Sequence, residues 1–282
     1  MEKSLEEGPT ADRSDHWSEL GGAERIAEAT ETLTRLGGSA AEARVRARYL
    51  DLLSPQSGEI VIDVGAGAGA VTVELARRVA PGGRVFAVDP SAGLLDAARA
   101  AMRQAGVSHL VDCRVADGRG LPFGPAAFDA ALCHWVLLHV DRPGEVIAEM
   151  KRVTRRGGRV LSVEMDWETA MVHPGNTAVT RKIFNFSADR HVDAWIGRRL
   201  AGLFNSVGFA DVVIEPIVLI DRGRDDRAWI EYLEERARMA LAAGVIGSDD
   251  LAEWMQGIAD ALAANTFFFA VTQFAVLGRV PA

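Results

Sequence analysis

The chain has 282 residues, enough for one full hydrophobic core with about 80 to 100 residues left for decoration. Its 49% hydrophobic and 25% charged residues are ordinary for a soluble globular protein, and no apolar run is long enough for a transmembrane helix. A formal net charge of −8 argues against a nucleic-acid partner, which favours a basic face, and leaves a small molecule as the expected one.

In chain order, residues 1–15 are polar and acidic with Gly8-Pro9, the composition of a disordered leader. Residues 16–53 predict two helices: Gly37-Gly38 stops the first, Ser39 caps the second, and Pro55 lies beyond its end. Strands are then expected at 59–64, 83–88, 110–115 and 127–133, with helices at about 70–80, 91–105 and 142–155, and a fifth strand at 159–165. Apolar strands separated by helices imply a parallel sheet covered on both faces, with ligands beyond the C-terminal strand ends. Further on, helices are expected at 175–190 and 193–207, the second ending at Gly208, and a strand at 211–220. Helices at about 226–243 and 249–264 precede a final strand from Thr266 to Val280. Cys113 and Cys133 both fall in predicted strands, so buried reduced thiols are expected rather than a disulfide or metal pair.

The densest chemistry lies at the first strand end. The run Ile60-Val61-Ile62-Asp63-Val64-Gly65-Ala66-Gly67-Ala68-Gly69 ends a strand in an acid and turns through three alternating glycines into a helix. Glycines allow the sharp turn and the close approach of a ligand, and the helix points free N–H groups at it. Asp63 would repel a pyrophosphate but suits a cationic ligand with an amino-acid tail. Asp89, ending the second strand about two dozen residues past the turn, is placed to accept both hydroxyls of a ribose. Asp117, after the third strand, is placed to accept from an adenine amino group. Three acids at successive strand ends suit a positively charged adenosine ligand.

These residues, with Val88-Asp89-Pro90-Ser91, Ala116-Asp117-Gly118 followed by Leu121-Pro122-Phe123, and the stretch from Phe128 to Val140, resemble the class I S-adenosylmethionine-dependent methyltransferases, close to the ubiquinone/menaquinone-biosynthesis-like small-molecule group. The likeness covers about residues 45–165, including Glu149 to Arg159. It implies an α/β, Rossmann-like, seven-stranded, mostly parallel sheet with an antiparallel last strand, helices on both faces and helical lid inserts. On that resemblance residues 16–54 form a helical lid, and 55–282 form the catalytic domain with inserts at about 167–195 and 222–265. Gly65, Gly67 and Gly69 would line the methionine part of S-adenosyl-L-methionine, with Asp63 near its amino group. Asp89 would hold the ribose with Ser91 nearby, Asp117 and Gly118 would flank the adenine, and His134 would sit beside the cofactor. Arg156 stands where the family often has a proline before Gly157-Gly158, which loosens a turn away from the site.

The antiparallel last strand puts both later inserts, and the N-terminal helices, over the active-site edge. Trp167, Trp195, Trp229 and Trp254 fall in or beside the later inserts, so an aromatic chamber for an apolar or planar acceptor is expected, against the plainer reading that they are the inserts' own core. Trp135, Glu164, Trp167 and Trp195 are the candidate acceptor contacts. Glu164 and Asp166 suit a donor-bearing acceptor or nearby arginines. His139 is the candidate general base, since histidine takes protons near neutral pH; the alternative is that it packs or caps its helix. His191, with Arg198 and Arg199, is expected to anchor a lid helix. No spacing supports a Ser/His/Asp triad or a metal set, and no Asn/Asp-Pro-Pro-aromatic motif points to nucleic-acid bases. The expected protein is cytoplasmic, with a homodimer allowed. Two other classes compete: a nicotinamide oxidoreductase, to which Gly65, Gly67 and Ala70 also conform, and a methyltransferase-fold protein kept for binding or scaffolding.

Overall fold

The computed structural model describes residues 22–282; the expected leader and the first residues of the N-terminal helical region lie outside the described residues. Two helices come first, α1 (Ala23–Gly38) and α2 (Ala40–Leu53). Ser39 ends one and begins the other, its hydroxyl accepting from the Glu42 N–H at 3.1 Å. Then follow β1 (Ile60–Val64), α3 (Ala70–Val79), β2 (Arg84–Asp89), α4 (Ala92–Gln104), β3 (Val111–Val115), β4 (Phe128–His134) and α5 (Pro143–Val153). Pro143 sits in the first turn of α5, where a missing N–H costs nothing.

The remainder is β5 (Thr154–His173), α6 (Thr177–Ala188), α7 (Ile196–Val207), β6 (Ala210–Asp221), α8 (Ala228–Ala242), α9 (Ser248–Ala263) and β7 (Phe268–Arg279). The seven strands form one sheet in the order β3-β2-β1-β4-β5-β7-β6. β7 runs antiparallel to both β5 and β6, and the remaining neighbours are parallel, as expected. Strand order reverses between β1 and β4, which opens a crevice at their C-terminal ends. The sheet centre is apolar: Val61, Ile62, Val85, Ala87, Val88 and Ala130 to Cys133 are all fully buried.

One element departs from expectation. β5 runs well past residue 165, because antiparallel β7 supplies ladder partners out to His173 opposite Phe268, with a bulge between Asp166 and Met171. Residues 167–173 are therefore strand, and the insert proper begins at Pro174. Both cysteines are free, Cys133 buried and Cys113 half-buried. Among the described residues, no helix is long and apolar enough to cross a membrane.

Candidate functional site

A cavity of about 830 Å³ opens at the C-terminal ends of β1 and β4. Its floor is the glycine turn. The Gly65 and Ala66 N–H groups both donate to the Val88 carbonyl, at 2.8 and 2.9 Å, which bends the chain back over β2. Gly65 has φ +75°, and a Cβ there would lie 2.3 Å from Val136 Cγ2, so only glycine fits. Gly67, at φ +52°, donates its N–H to Asp89 Oδ2 at 2.9 Å. Gly69, also left-handed, is the N-cap of α3.

Asp89 is 6% exposed, and its other oxygen accepts from the Ser91 N–H at 2.9 Å. It thus staples the turn to the end of β2 while each oxygen keeps a lone pair for a ligand. Burial raises its pKa, opposed by those two N–H groups. Asp63 is buried beneath the turn and accepts from Thr72 Oγ1 at 2.6 Å. Burial pushes it up to about 6, with the Thr72 hydrogen bond and His134 pulling the other way. Asp117 and Gly118 line the cavity, but both Asp117 oxygens are already engaged by Arg119, at 2.7 and 3.1 Å, and this holds the carboxyl below its usual range.

His134 ends β4 beside the turn. Its Nε2 lies 3.2 Å from Gln273 Oε1 and 3.3 Å from Glu42 Oε1, while Gln273 donates to Glu42 Oε2 at 2.8 Å. Its ring packs between Tyr49 and Trp135, with centroids at 5.1 and 4.5 Å. This cluster ties α2 to the sheet next to the cavity. Arg46, also on α2, lines the cavity and donates to the Gly37 carbonyl at 2.9 Å.

The outer half of the cavity is aromatic. Trp135, Trp167, Trp229 and Tyr232 line it, with His139 and His191. Trp167 lies 5.8 Å from both His191 and Tyr232, nearly parallel to each, and Trp229 stands edge-on to Trp135 at 5.9 Å. His139 and His191 have ring centroids 5.3 Å apart. Burial, then Arg236 and Arg190, hold the His191 pKa down at about 4, so its imidazole is neutral at physiological pH.

Three of the candidate residues do not line the cavity. The Ser91 hydroxyl caps α4, accepting from the Leu94 N–H at 3.3 Å, and Ser91 does not line the cavity. Glu164 is fully buried on the far side of the loop after β4, where Oε1 accepts from the N–H groups of Val136 and Leu137 at 2.9 and 2.8 Å. It braces the chamber wall instead of facing an acceptor. Trp195 is 44% exposed, outside the cavity, at the start of α7. Trp254 is insert core, its indole N–H donating to Thr180 Oγ1 at 3.0 Å. Asp166 pairs with Arg198, which also reaches Glu168, and Arg199 pairs with Asp193. His191 is thereby released from the expected anchor and faces the cavity.

Residues that sequence reasoning passed over are Tyr232, Arg236 and Met239. With Trp229 they recur at three- and four-residue steps along α8 and form the helix face on the cavity. That spacing was the available signal.

Residues 62–162 match the family model described as a methyltransferase domain. Among curated proteins, an uncharacterized 37.1 kDa protein in transposon TN4556 of Streptomyces fradiae is 32% identical over 231 residues, covering 82% of this chain and 65% of that one. The ubiquinone/menaquinone biosynthesis C-methyltransferase UbiE of Pseudomonas paraeruginosa is 35% identical over 115 residues, 41% of this chain and 45% of that one. The chain thus spans less than two thirds of the length of these relatives. Among solved structures, the [4+2]-cyclase SpnF superposes with a TM-score of 0.55 at 20% identity, over 86% of this chain and 81% of that one, a likeness of fold.

Proposed function

We propose that this chain, which carries a methyltransferase domain of the class I, S-adenosylmethionine-dependent type, moves a methyl group onto a small, largely apolar or aromatic metabolite in the cytoplasm. The observation that carries this reading is the continuity of one cavity, floored by the turn at Gly65–Gly69 with Asp89, and walled at its other end by tryptophan and tyrosine.

The residues present fit the cofactor. The Gly67 backbone is held open by Asp89, and the buried acids Asp63 and Asp89 offer negative charge to a cationic ligand. Arg46, the cation of α2 that lines the cavity, is the partner for an amino-acid carboxylate. When bound, S-adenosylmethionine supplies an electrophilic methyl group on a sulfonium. The chain's own work is alignment and exclusion of water: Trp135, Trp167, Trp229 and Tyr232 present flat apolar walls that orient a planar acceptor. His139, at the chamber wall, is the group proposed to take up a proton, beside the neutral imidazole of His191.

Calorimetric titration with S-adenosylhomocysteine, followed by label transfer to a panel of aromatic acceptors, tests the reading. Asp89→Ala is expected to weaken S-adenosylhomocysteine binding by about 1–3 kcal/mol, from loss of charge-assisted hydrogen bonds and of the Gly67 staple. An unchanged dissociation constant would show that Asp89 does not hold the ribose. Tight NAD binding without S-adenosylhomocysteine binding would overturn the whole proposal. The scaffold alternative gains only if the cofactor binds and no acceptor is methylated.

A further inference from the structure

Two arginines that line the cavity make no ion pair with a carboxylate among the described residues. On α8, Glu231 and Glu235 both pair with Arg35, and Glu234 with Arg227 and Arg238. Arg236 sits among them with no carboxylate partner among the described residues. Its guanidinium lies 4.7 Å from the Tyr232 ring centroid, and its buried Nε makes no hydrogen bond. Arg190, just past α6, also lacks an acidic partner there, and its guanidinium lies 5.7 Å from the Phe186 ring centroid. Both line the cavity, both act on His191, and Arg236 shares α8 with the wall residues Trp229 and Tyr232.

A partly buried guanidinium with an unused donor is costly unless something accepts from it. The bland account, two solvated surface arginines, suits Arg190 taken alone but not the buried Nε of Arg236. An oxyanion in the cavity can accept from the terminal guanidinium nitrogens of both residues, because a guanidinium presents donors in a planar fork that matches carboxylate or phosphate oxygens.

We propose that the acceptor is a planar, aromatic molecule bearing an anionic group, carboxylate or phosphate, which Arg190 and Arg236 hold while the ring lies against Trp167 and Tyr232. This rests on the reading of the outer cavity as a methyl-acceptor chamber. The same two cations disfavour an ammonium-bearing acceptor.

Calorimetry on the full chain with naphthoate, naphthyl phosphate and naphthamide separates charge from shape. At least one anion is expected to bind about tenfold or more tighter than the neutral amide, and the tighter of the two identifies the anionic group. The double variant Arg190→Met/Arg236→Met is expected to erase that preference, Arg236→Lys to keep part of it, and both to bind S-adenosylhomocysteine as the parent does. Absence of binding by either anion, a preference below about threefold, or a preference that survives the double variant overturns the proposal. If the parent binds S-adenosylhomocysteine but shows no anion preference, this inference alone falls. If it shows the preference but binds no S-adenosylhomocysteine, the anion site stands and the methyltransferase reading falls.

Discussion

At the residue scale, Glu164 shows how a buried acid can shape a site without touching a ligand. Its Oε1 accepts two backbone N–H groups from the loop that carries Trp135, a non-glycine residue at φ +56°. Burial nonetheless pushes the group up to about 8, which favours its neutral form at physiological pH, and its buried Oε2 has no hydrogen-bond partner among the described residues. The folded state therefore binds a proton that the unfolded chain has released, and stability falls as pH rises from the ordinary glutamate range toward 8. Asp63, pushed up to about 6, contributes with the same sign over a narrower and more acidic window. Glu164→Gln is expected to keep the acceptor oxygen and flatten the decline between pH 6 and 8, with a difference in slope worth on the order of a few kcal/mol across that interval. Urea unfolding at stepped pH measures this, and parallel slopes in parent and variant would refute it. Glu164→Ala, which leaves both loop N–H groups unpaired, is expected to cost about 2–4 kcal/mol in the acidic range where the parent keeps its proton, and less as pH rises toward 8.

At the scale of elements, helix α7 lies almost directly on β5, and one residue permits it. A Cβ on Gly197 would meet the carbonyl oxygens of Glu164 and Met165 at 3.0 Å, backbone atoms that cannot swing aside. Gly197→Ala is thus expected to destabilise by about 1–3 kcal/mol. Gly202, on the same helix, has nothing within 4 Å of the same added atom, so Gly202→Ala is expected to stabilise by up to about 1 kcal/mol. Opposite shifts in melting temperature for the two variants are the check; equal shifts would mean that helix propensity, not contact with β5, governs both. The same contrast explains what was legible in the sequence. Strand ends, caps and the glycine turn are local signals, and β1 to β4, α3 and α4 lie within a residue or two of expectation. Along β5 successive side chains face opposite ways: Met165 lines the cavity, whereas Glu164 lies beneath the loop. Nothing in the sequence says which of the two faces inward. The extension of β5 depends on β7, about a hundred residues away, and the sorting of Trp167 into the cavity and Trp195 onto the surface depends on where α7 docks.

At the scale of the whole molecule, the chamber is closed by segments from three parts of the chain, and polar ties join the N-terminal part to a later one. Arg35 of α1 reaches Glu231 and Glu235 of α8 at 3.1 and 2.7 Å, with its own side chain only 17% exposed. Arg44 and Arg48 of α2 pair with Asp225 and with Glu215 of β6, and the Ala40 N–H donates to Asp226 at 2.8 Å. Exposed pairs of this kind each contribute little, but a half-buried fork between two helices is expected to limit any opening of α1 away from the cavity. Arg35→Met retains most of the apolar stem and removes only the fork. It is expected to accelerate amide hydrogen exchange across Ala23–Gly38 and to weaken S-adenosylhomocysteine binding by about 0.5–1.5 kcal/mol, with the midpoint of global unfolding nearly unmoved because the sheet core is untouched. Raising salt on the parent protein should reproduce part of the effect, since these charges are partly screened. If exchange in α1 is unchanged while binding weakens, Arg35 contacts the ligand directly and the N-terminal helices do not act as a moving cover.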